Sequence, residues 1–142
     1  MSGDSAAARA ESEKVPTVLV VDDDAAVRAV ASKVLRRSGY DVLEAGGGRE
    51  ALELVHARHG AVDLLLTDVV MPEVGGRELS ERLRASYPEV RVLFMSAYTE
   101  DEVILQGVRV AEVDFLMKPF NLEKLTQAVD VLTGARTPDT LE

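Results

Sequence analysis

The chain alternates short apolar runs with segments that have helical periodicity. Five apolar runs predict β-strands at residues 17–22, 40–45, 62–68, 90–97 and 113–117. The first, third and fourth runs are nearly continuous Val and Leu, which is typical of strands that are covered on both faces. The second and fifth runs are weaker, as expected for the edges of a sheet.

Between the predicted strands, apolar residues recur at helical spacing. They mark four helices, in the sets Val27, Val30, Ala31, Val34 and Leu35; Ala51, Leu52 and Val55; Leu79 and Leu83; and Leu122, Leu125, Val129 and Leu132. Gly39, Gly60 and Pro88 are expected to end the first three, and Asn121 is expected to cap the last. Together with a further helical segment at residues 100–110, this pattern predicts a doubly wound (βα)5 α/β sandwich around a parallel sheet.

Composition narrows the class of protein. The length of 142 residues indicates one domain, at residues 16–134, with tails at 1–15 and 135–142 that are too short for a DNA-binding output domain. A formal charge of −9 argues against nucleic-acid binding. No apolar run reaches the roughly 18 residues of a membrane span, and the N-terminus lacks a signal-peptide core. With no cysteine, a cytoplasmic location is expected.

Polar residues lie at or just after the carboxyl ends of four of the five predicted strands. They are Asp22, Asp23 and Asp24 at the first strand, Asp68 at the third, Ser96 at the fourth and Lys118 at the fifth. The carboxyl ends of parallel strands meet at one edge of the sheet, where functional groups gather. Carboxylates packed closely repel one another, and a hard divalent cation such as Mg²⁺ relieves that repulsion. The pattern therefore predicts a site for a metal and a phosphoryl group.

Three other features have simpler interpretations. Asp24 is expected to cap the helix that follows it. The stretch EAGGGREAL, residues 44–52, matches no complete phosphate-binding motif, so a strand-to-helix turn is predicted. His56 and His59 are three residues apart on the predicted second helix, but no further ligand is near them in sequence. We therefore expect two solvated histidines and no metal pair.

Four motifs, in order along the chain, resemble those of the receiver domain of two-component response regulators. They are VDDD, TDVVMPEVGG, MSA and KPF, and the resemblance covers residues 16–134. The resemblance implies the strand order 2-1-3-4-5. It also implies that Asp68 accepts a phosphoryl group from a histidine kinase or a histidine phosphotransfer protein. Lys118 would then bind a phosphoryl oxygen, with a cis peptide bond before Pro119.

The resemblance also implies a metal site and a switch. Mg²⁺, for which Mn²⁺ is expected to substitute, would be held by Asp22, Asp23, Asp68 and the backbone carbonyl of Val70. Ser96 would move toward the phosphoryl group, and Phe115 would turn inward behind it. Val70 and Tyr98 would flank the path of attacking water and affect the rate of dephosphorylation.

The resemblance implies that switching would reshape the surface made by the helix at residues 100–110, the fifth strand and the last helix. Three successive apolar residues in that helical segment cannot all face the core, so a partner or dimer surface is predicted there. The sequence leaves open whether the domain forms a weak homodimer. Response regulators of the winged-helix subfamily dimerise through a dense pattern of paired charges on this surface. The sequence lacks that pattern on this surface, so a dimer of that kind is not expected.

The resemblance implies a phosphoacceptor signalling module that promotes only its own phosphorylation and dephosphorylation, and is not an enzyme acting on external substrates. Two settings remain open: a stand-alone regulator that binds a downstream protein, and the receiver module of a hybrid sensor histidine kinase. Alternatives from other classes are a small flavodoxin-like ligand-binding protein and a metal-dependent phosphatase.

Overall fold

The computed structural model describes residues 15–96, 114–119 and 121–134. Within these ranges the elements follow in the order β1 (Thr17–Val21), α1 (Ala25–Arg37), β2 (Asp41–Ala45), α2 (Gly48–Ala57), β3 (Leu64–Asp68), α3 (Gly76–Ser86), β4 (Arg91–Ser96), β5 (Asp114–Met117) and α4 (Leu122–Thr133). The predicted helical segment at 100–110 and Tyr98 lie outside the described residues.

The five strands form one sheet in the order β2-β1-β3-β4-β5, and every neighbouring pair is parallel. The predicted doubly wound α/β fold and its strand order are therefore confirmed. β1 and β3 are buried along their whole length, whereas β2 and β5 are partly exposed edges. The predicted strands extended one or two residues too far at several ends; Asp22, for example, lies just after β1.

The sheet separates two hydrophobic layers. Leu19, Val21 and Leu65 pack with α2 and α3 on one face. The alternate residues of the same strands pack on the other face with α1 and α4, and they include Val18, Val20, Leu64 and Leu66. Because successive side chains of a strand point to opposite faces, a continuous apolar run can serve both layers. No described helix is long and apolar enough to cross a membrane.

The predicted helix ends are largely confirmed, with one correction. Asn121 caps α4 through its side chain, and Gly39 and Gly60 adopt positive φ angles just after α1 and α2. However, α2 ends at Ala57, so His59 does not lie on the helix as predicted. His59 instead has a φ of 54° within the turn.

One predicted apolar stripe also differs from the structure. Val30 was grouped with the inward-facing positions of α1, but 50% of its surface is exposed, whereas Ala31 and Leu35 are fully buried. The five residues of the predicted stripe cover too wide an arc of α1 for all of them to face the sheet. One edge of α1 therefore presents an apolar side chain to solvent.

Candidate functional site

Three carboxylates converge at the carboxyl edge of the sheet. Oxygen atoms of Asp22, Asp23 and Asp68 all lie within 4.8 Å of one another. β1 and β3 are adjacent parallel strands, so their ends deliver these side chains to one place. Asp22 is fully buried and Asp68 is 6% exposed, whereas Asp23 is exposed. The predicted acidic cluster is thus present in the structure.

Asp22 is held by contacts from three directions. Its backbone N–H donates to the carbonyl of Ala45 at 3.3 Å. Its Oδ1 accepts from the backbone N–H of Asp24 at 2.9 Å, and its Oδ2 accepts from Lys118 Nζ at 2.7 Å. A buried carboxylate needs such partners because it has lost its hydration. Both the backbone and the carboxylate of Asp22 are therefore held in place by hydrogen bonds.

Asp68 is placed by the close approach of α3 to the end of β3. The backbone N–H of Gly76 donates to the carbonyl of Val69 at 2.8 Å. A Cβ at position 76 would lie only 2.2 Å from the backbone oxygen of Asp68. The second glycine of TDVVMPEVGG is therefore required for α3 to begin against the strand that carries Asp68.

Lys118 reaches the cluster from the end of β5. Its backbone N–H donates to the carbonyl of Ser96 at 2.8 Å. Its Nζ lies 2.7 Å from Asp22 Oδ2 and 3.5 Å from Asp68 Oδ2. The peptide bond between Lys118 and Pro119 is cis, as predicted. Strand pairing from β3 through β4 to β5 thus brings together groups that are 50 residues apart in sequence.

The cluster perturbs the pKa values of two of its members. Burial raises the pKa of Asp68 from 3.8 to about 6; the Lys118 ammonium opposes this rise, and the charges of Asp22 and Asp23 add to it. Burial would lower the pKa of Lys118, but its hydrogen bond to Asp22 and the charges of Asp68 and Asp22 outweigh that effect and raise it. Burial, with a smaller contribution from the neighbouring carboxylates, therefore disfavours the charged form of Asp68.

The donor set fits a hard divalent cation. Asp68 Oδ1 is buried and has no hydrogen-bond partner among the described residues. A buried polar atom without a partner calls for an explanation such as an ion. Carboxylate oxygens this close together are ligands that Mg²⁺ accepts. Asp22, Asp23 and Asp68 are the residues that would hold it.

The remaining predicted site residues lie around this cluster. Ser96 is fully buried at the end of β4, beside Met117 in the sheet register. Phe115 is partly buried and packs against the small cluster of Val69 and Phe94, as does Val70. Phe115 therefore packs beside the ends of β3 and β4, near the acidic cluster.

Asp24 and the glycine stretch have the simpler roles predicted for them. Asp24 caps α1, accepting from the backbone N–H groups of Ala26 and Val27. The glycine stretch at residues 46–48 joins β2 to the start of α2. His56 and His59 are both exposed. His56 has a partner that the sequence did not indicate, because its Nδ1 lies 3.0 Å from the hydroxyl of Tyr87.

Arg28 was not predicted as part of the site. Its Nη1 donates to the backbone carbonyl of Asp22 at 2.6 Å. In the sequence it lies among the apolar positions of α1, with no motif around it. The only indication in the sequence was that a basic residue occurs one turn into the helix, shortly after three aspartates.

Fold and site together define a doubly wound α/β domain with an acidic, cation-compatible centre at the carboxyl edge of its sheet. The sequence profile of the response regulator receiver domain matches residues 18–130. The chain therefore belongs to the response regulator receiver domain family. Receiver domains are modules of two-component signal transduction, and as a family they accept phosphoryl groups from histidine kinases.

Curated relatives are longer proteins that contain a similar segment. The chain is 42% identical over 113 residues to the sensor kinase CckA of Brucella abortus, covering 80% of this chain and 12% of that protein. It is 35% identical over 125 residues to the DNA-binding transcriptional regulator NtrC of Azospirillum brasilense, covering 86% of this chain and 25% of that protein. The chain thus spans a quarter or less of these two relatives.

Two solved structures are similar to this chain over nearly their whole length. The receiver domain of the hybrid histidine kinase CckA superposes with a TM-score of 0.70 and 36% identity, covering 82% of this chain and 98% of that one. The Vibrio cholerae chemotaxis protein CheY4 gives a TM-score of 0.72 and 32% identity, with coverage of 83% and 98%.

Proposed function

We propose that Asp68 accepts a phosphoryl group from a phosphohistidine, in a reaction that requires Mg²⁺, and that residues 16–134 form the receiver with tails on either side. The single observation that carries this proposal is that Asp68 Oδ1 is buried without a hydrogen-bond partner from the described part of the chain, beside two further carboxylates and one ammonium. Its geometry suits an oxygen that either contacts a cation or attacks phosphorus. Membership of the receiver family supports the same role.

The transfer exchanges one bond to phosphorus for another. A carboxylate oxygen of Asp68 forms the new O–P bond while the N–P bond of the donor phosphohistidine breaks. The donor imidazole leaves as a neutral ring because its other nitrogen carries the proton. The product is an acyl phosphate, and the step consists mainly of positioning and charge neutralisation.

Two groups of residues would neutralise the negative charge of the carboxylates and of the phosphoryl group. Asp22, Asp23, Asp68 and the backbone carbonyl of Val70 would hold Mg²⁺, or Mn²⁺ in its place, and the bound cation would offset the carboxylates and the phosphoryl oxygens. The side chain of Lys118 is 13% exposed, and its Nζ lies 3.5 Å from Asp68 Oδ2. Its ammonium would therefore bind an oxygen of the phosphoryl group on Asp68.

The donor protein is expected to contact a groove beside the site. The groove encloses about 480 Å³ and is lined by Asp24, Val27, Val30, Lys118, Pro119 and Leu122. Val30 and Leu122 are 50% and 44% exposed, which gives the donor an apolar surface next to the only basic group of the cluster within the described residues. Such a surface would align the phosphohistidine with Asp68.

The output is expected at β5 and α4. The backbone hydrogen bond from Lys118 to Ser96 joins the site to β4 and β5, and Phe115 lies on β5 against Phe94. A phosphoryl group on Asp68 would bind Lys118 and attract the hydroxyl of Ser96. Phe115 would then turn inward behind Ser96. The surface of β5 and α4 would then bind a downstream protein differently.

Intact mass spectrometry tests the phosphoacceptor. Incubation with acetyl phosphate and Mg²⁺ should add one phosphoryl group to the wild type and none to Asp68→Asn. Asp41→Asn, at the opposite end of the sheet, is the matched control and should be labelled like the wild type. Absence of the adduct with every donor, or its persistence in Asp68→Asn, would contradict the proposal.

The donor groove can be tested separately from the chemistry. Leu122→Glu should slow transfer from an autophosphorylated histidine kinase that labels the wild type, while labelling by acetyl phosphate stays unchanged. Val131→Glu is the control, because nine residues along a helix place it on the opposite side of α4 and it is similarly exposed, at 46%. Equal transfer to both variants would exclude this groove.

The similarity to the sensor kinase CckA supports the setting of a hybrid kinase. In that setting the phosphorylated chain should return its phosphoryl group to a histidine phosphotransfer protein. Retention of the label in the presence of such proteins, with tight binding to a downstream target, would favour a stand-alone regulator.

A further inference from the structure

Arg28 contacts the peptide that joins two of the three acidic residues. It lies in the second turn of α1, and its Nη1 donates to the backbone carbonyl of Asp22 at 2.6 Å. That carbonyl belongs to the peptide group between Asp22 and Asp23. A hydrogen bond from a charged donor is stronger than one between neutral groups. Arg28 thus fixes the plane of this peptide.

The guanidinium is itself held in place from β2. Its Nε lies 3.5 Å from Glu44 Oε1, and the other oxygen of Glu44 is 3.1 Å from Arg36 Nη1. The side chain of Arg28 is 22% exposed, whereas that of Arg36 is 52% exposed. One glutamate therefore pairs with two arginines, of which only Arg28 contacts the acidic loop.

Asp22 and Asp23 differ in how their carboxylates are fixed. Asp22 has direct partners on both side-chain oxygens. Among the described residues, Asp23 makes no side-chain hydrogen bond or ion pair, and it is exposed. No side-chain partner therefore fixes its carboxylate, and the loop backbone that carries it is held by the contact with Arg28 together with the hydrogen bonds of Asp22 to Ala45 and Asp24.

We propose that Arg28 is a positioning residue for the cation site, which acts by fixing the Asp22–Asp23 peptide so that the Asp23 carboxylate points at the cation. The proposal rests on the proposed function, since it assumes that Mg²⁺ binds at this cluster. Groups that orient a metal ligand without touching the metal commonly change affinity by about 10- to 100-fold when they are removed. Arg28 belongs to this kind of group.

Calorimetric titration with Mg²⁺ provides the test. Arg28→Met should weaken Mg²⁺ binding about tenfold, and Arg28→Lys should recover part of the loss by restoring a charged donor. Arg36→Met is the matched control, because it breaks the other ion pair of Glu44 and leaves the acidic loop untouched. Its Mg²⁺ affinity should stay close to that of the wild type.

A second measurement needs no metal. In EDTA, amide hydrogen exchange at Asp23 and Asp24 should accelerate in Arg28→Met and not in Arg36→Met. Unchanged exchange together with wild-type Mg²⁺ affinity in Arg28→Met would overturn the proposal, as would equal losses in both methionine variants. Failure of the wild type to bind Mg²⁺ would instead refute the proposed function, and the exchange data would still report on the role of Arg28.

Discussion

Replacement of Asp68 by asparagine is expected to stabilise the metal-free fold. Asp68 is 6% exposed, its Oδ1 lacks a partner among the described residues, and Asp22 and Asp23 are close to it. At neutral pH the folded protein must therefore keep a poorly hydrated charge beside two like charges. An asparagine of the same shape removes that charge and leaves the 2.7 Å contact between Lys118 and Asp22 in place.

The magnitude follows from the pKa of Asp68. A rise from 3.8 to about 6, at about 1.4 kcal/mol per unit, costs the folded state about 3 kcal/mol above both values. The attraction to Lys118 is already included in that pKa, and solvent screening reduces the net gain for asparagine to about 1–3 kcal/mol. Because the folded-state pKa is the higher one, wild-type stability from this group is present at low pH and is lost as the pH rises from 3.8 to about 6.

Urea unfolding in EDTA, followed by circular dichroism, measures this effect. Asp68→Asn should exceed the wild type at about pH 8, and the difference should shrink toward zero at about pH 3.5. Asp41→Asn should show no such pH-dependent gain. Mg²⁺ at ten times its dissociation constant should stabilise the wild type by about 1.4 kcal/mol and Asp68→Asn by less. A less stable Asp68→Asn at neutral pH, or a pH-independent difference, would refute the reasoning.

Three further substitutions test an ion pair, a close backbone contact and a helix cap around the site. Lys118→Met should cost about 3 kcal/mol at neutral pH in EDTA, because it leaves two buried carboxylates without their cation; adding Asp68→Asn should restore much of the loss, and additive losses in urea unfolding would contradict the shared ion pair. Gly76→Ala should cost about 2–4 kcal/mol by denaturant unfolding, since its Cβ would lie 2.2 Å from Asp68 O, whereas Gly47→Ala, with nothing within 4 Å, should cost about 1 kcal/mol or less. Asp24→Ala should lower stability by about 1 kcal/mol through the lost helix cap but leave phosphorylation by acetyl phosphate intact; loss of labelling would place Asp24 in the site.

The parts of this fold that were predictable from sequence are those with local or periodic signals. Continuous Val and Leu runs identified the inner strands, and Asp24 and Asn121 identified two helix starts. The convergence of Asp22, Asp68 and Lys118 also followed, because parallel strands present their carboxyl ends at one edge. Each of these inferences needed only residue type and spacing.

Other features depend on tertiary contacts that spacing does not contain. Arg28 acquires its role because β2 brings Glu44 next to α1, and no local pattern announces that pairing. His59 was placed on α2 because Gly60 was expected to end that helix, whereas α2 ends at Ala57 and His59 already has a positive φ. Val30 was grouped with core residues because apolarity alone does not say which edge of a helix the sheet covers.

The separation of the hydrophobic interior by the sheet has a consequence for how this protein can change over evolutionary time. Residues of the α2–α3 layer and residues of the α1–α4 layer share strands but not packing partners. Substitutions on opposite layers should therefore combine additively, as distant sites do. A lineage can remodel the α1–α4 side, where we expect donor and target proteins to bind, while the α2–α3 side preserves the stability of the domain. Changes on the solvent-facing surface of the α1–α4 side can then alter partner binding without disturbing the packing of the α2–α3 layer.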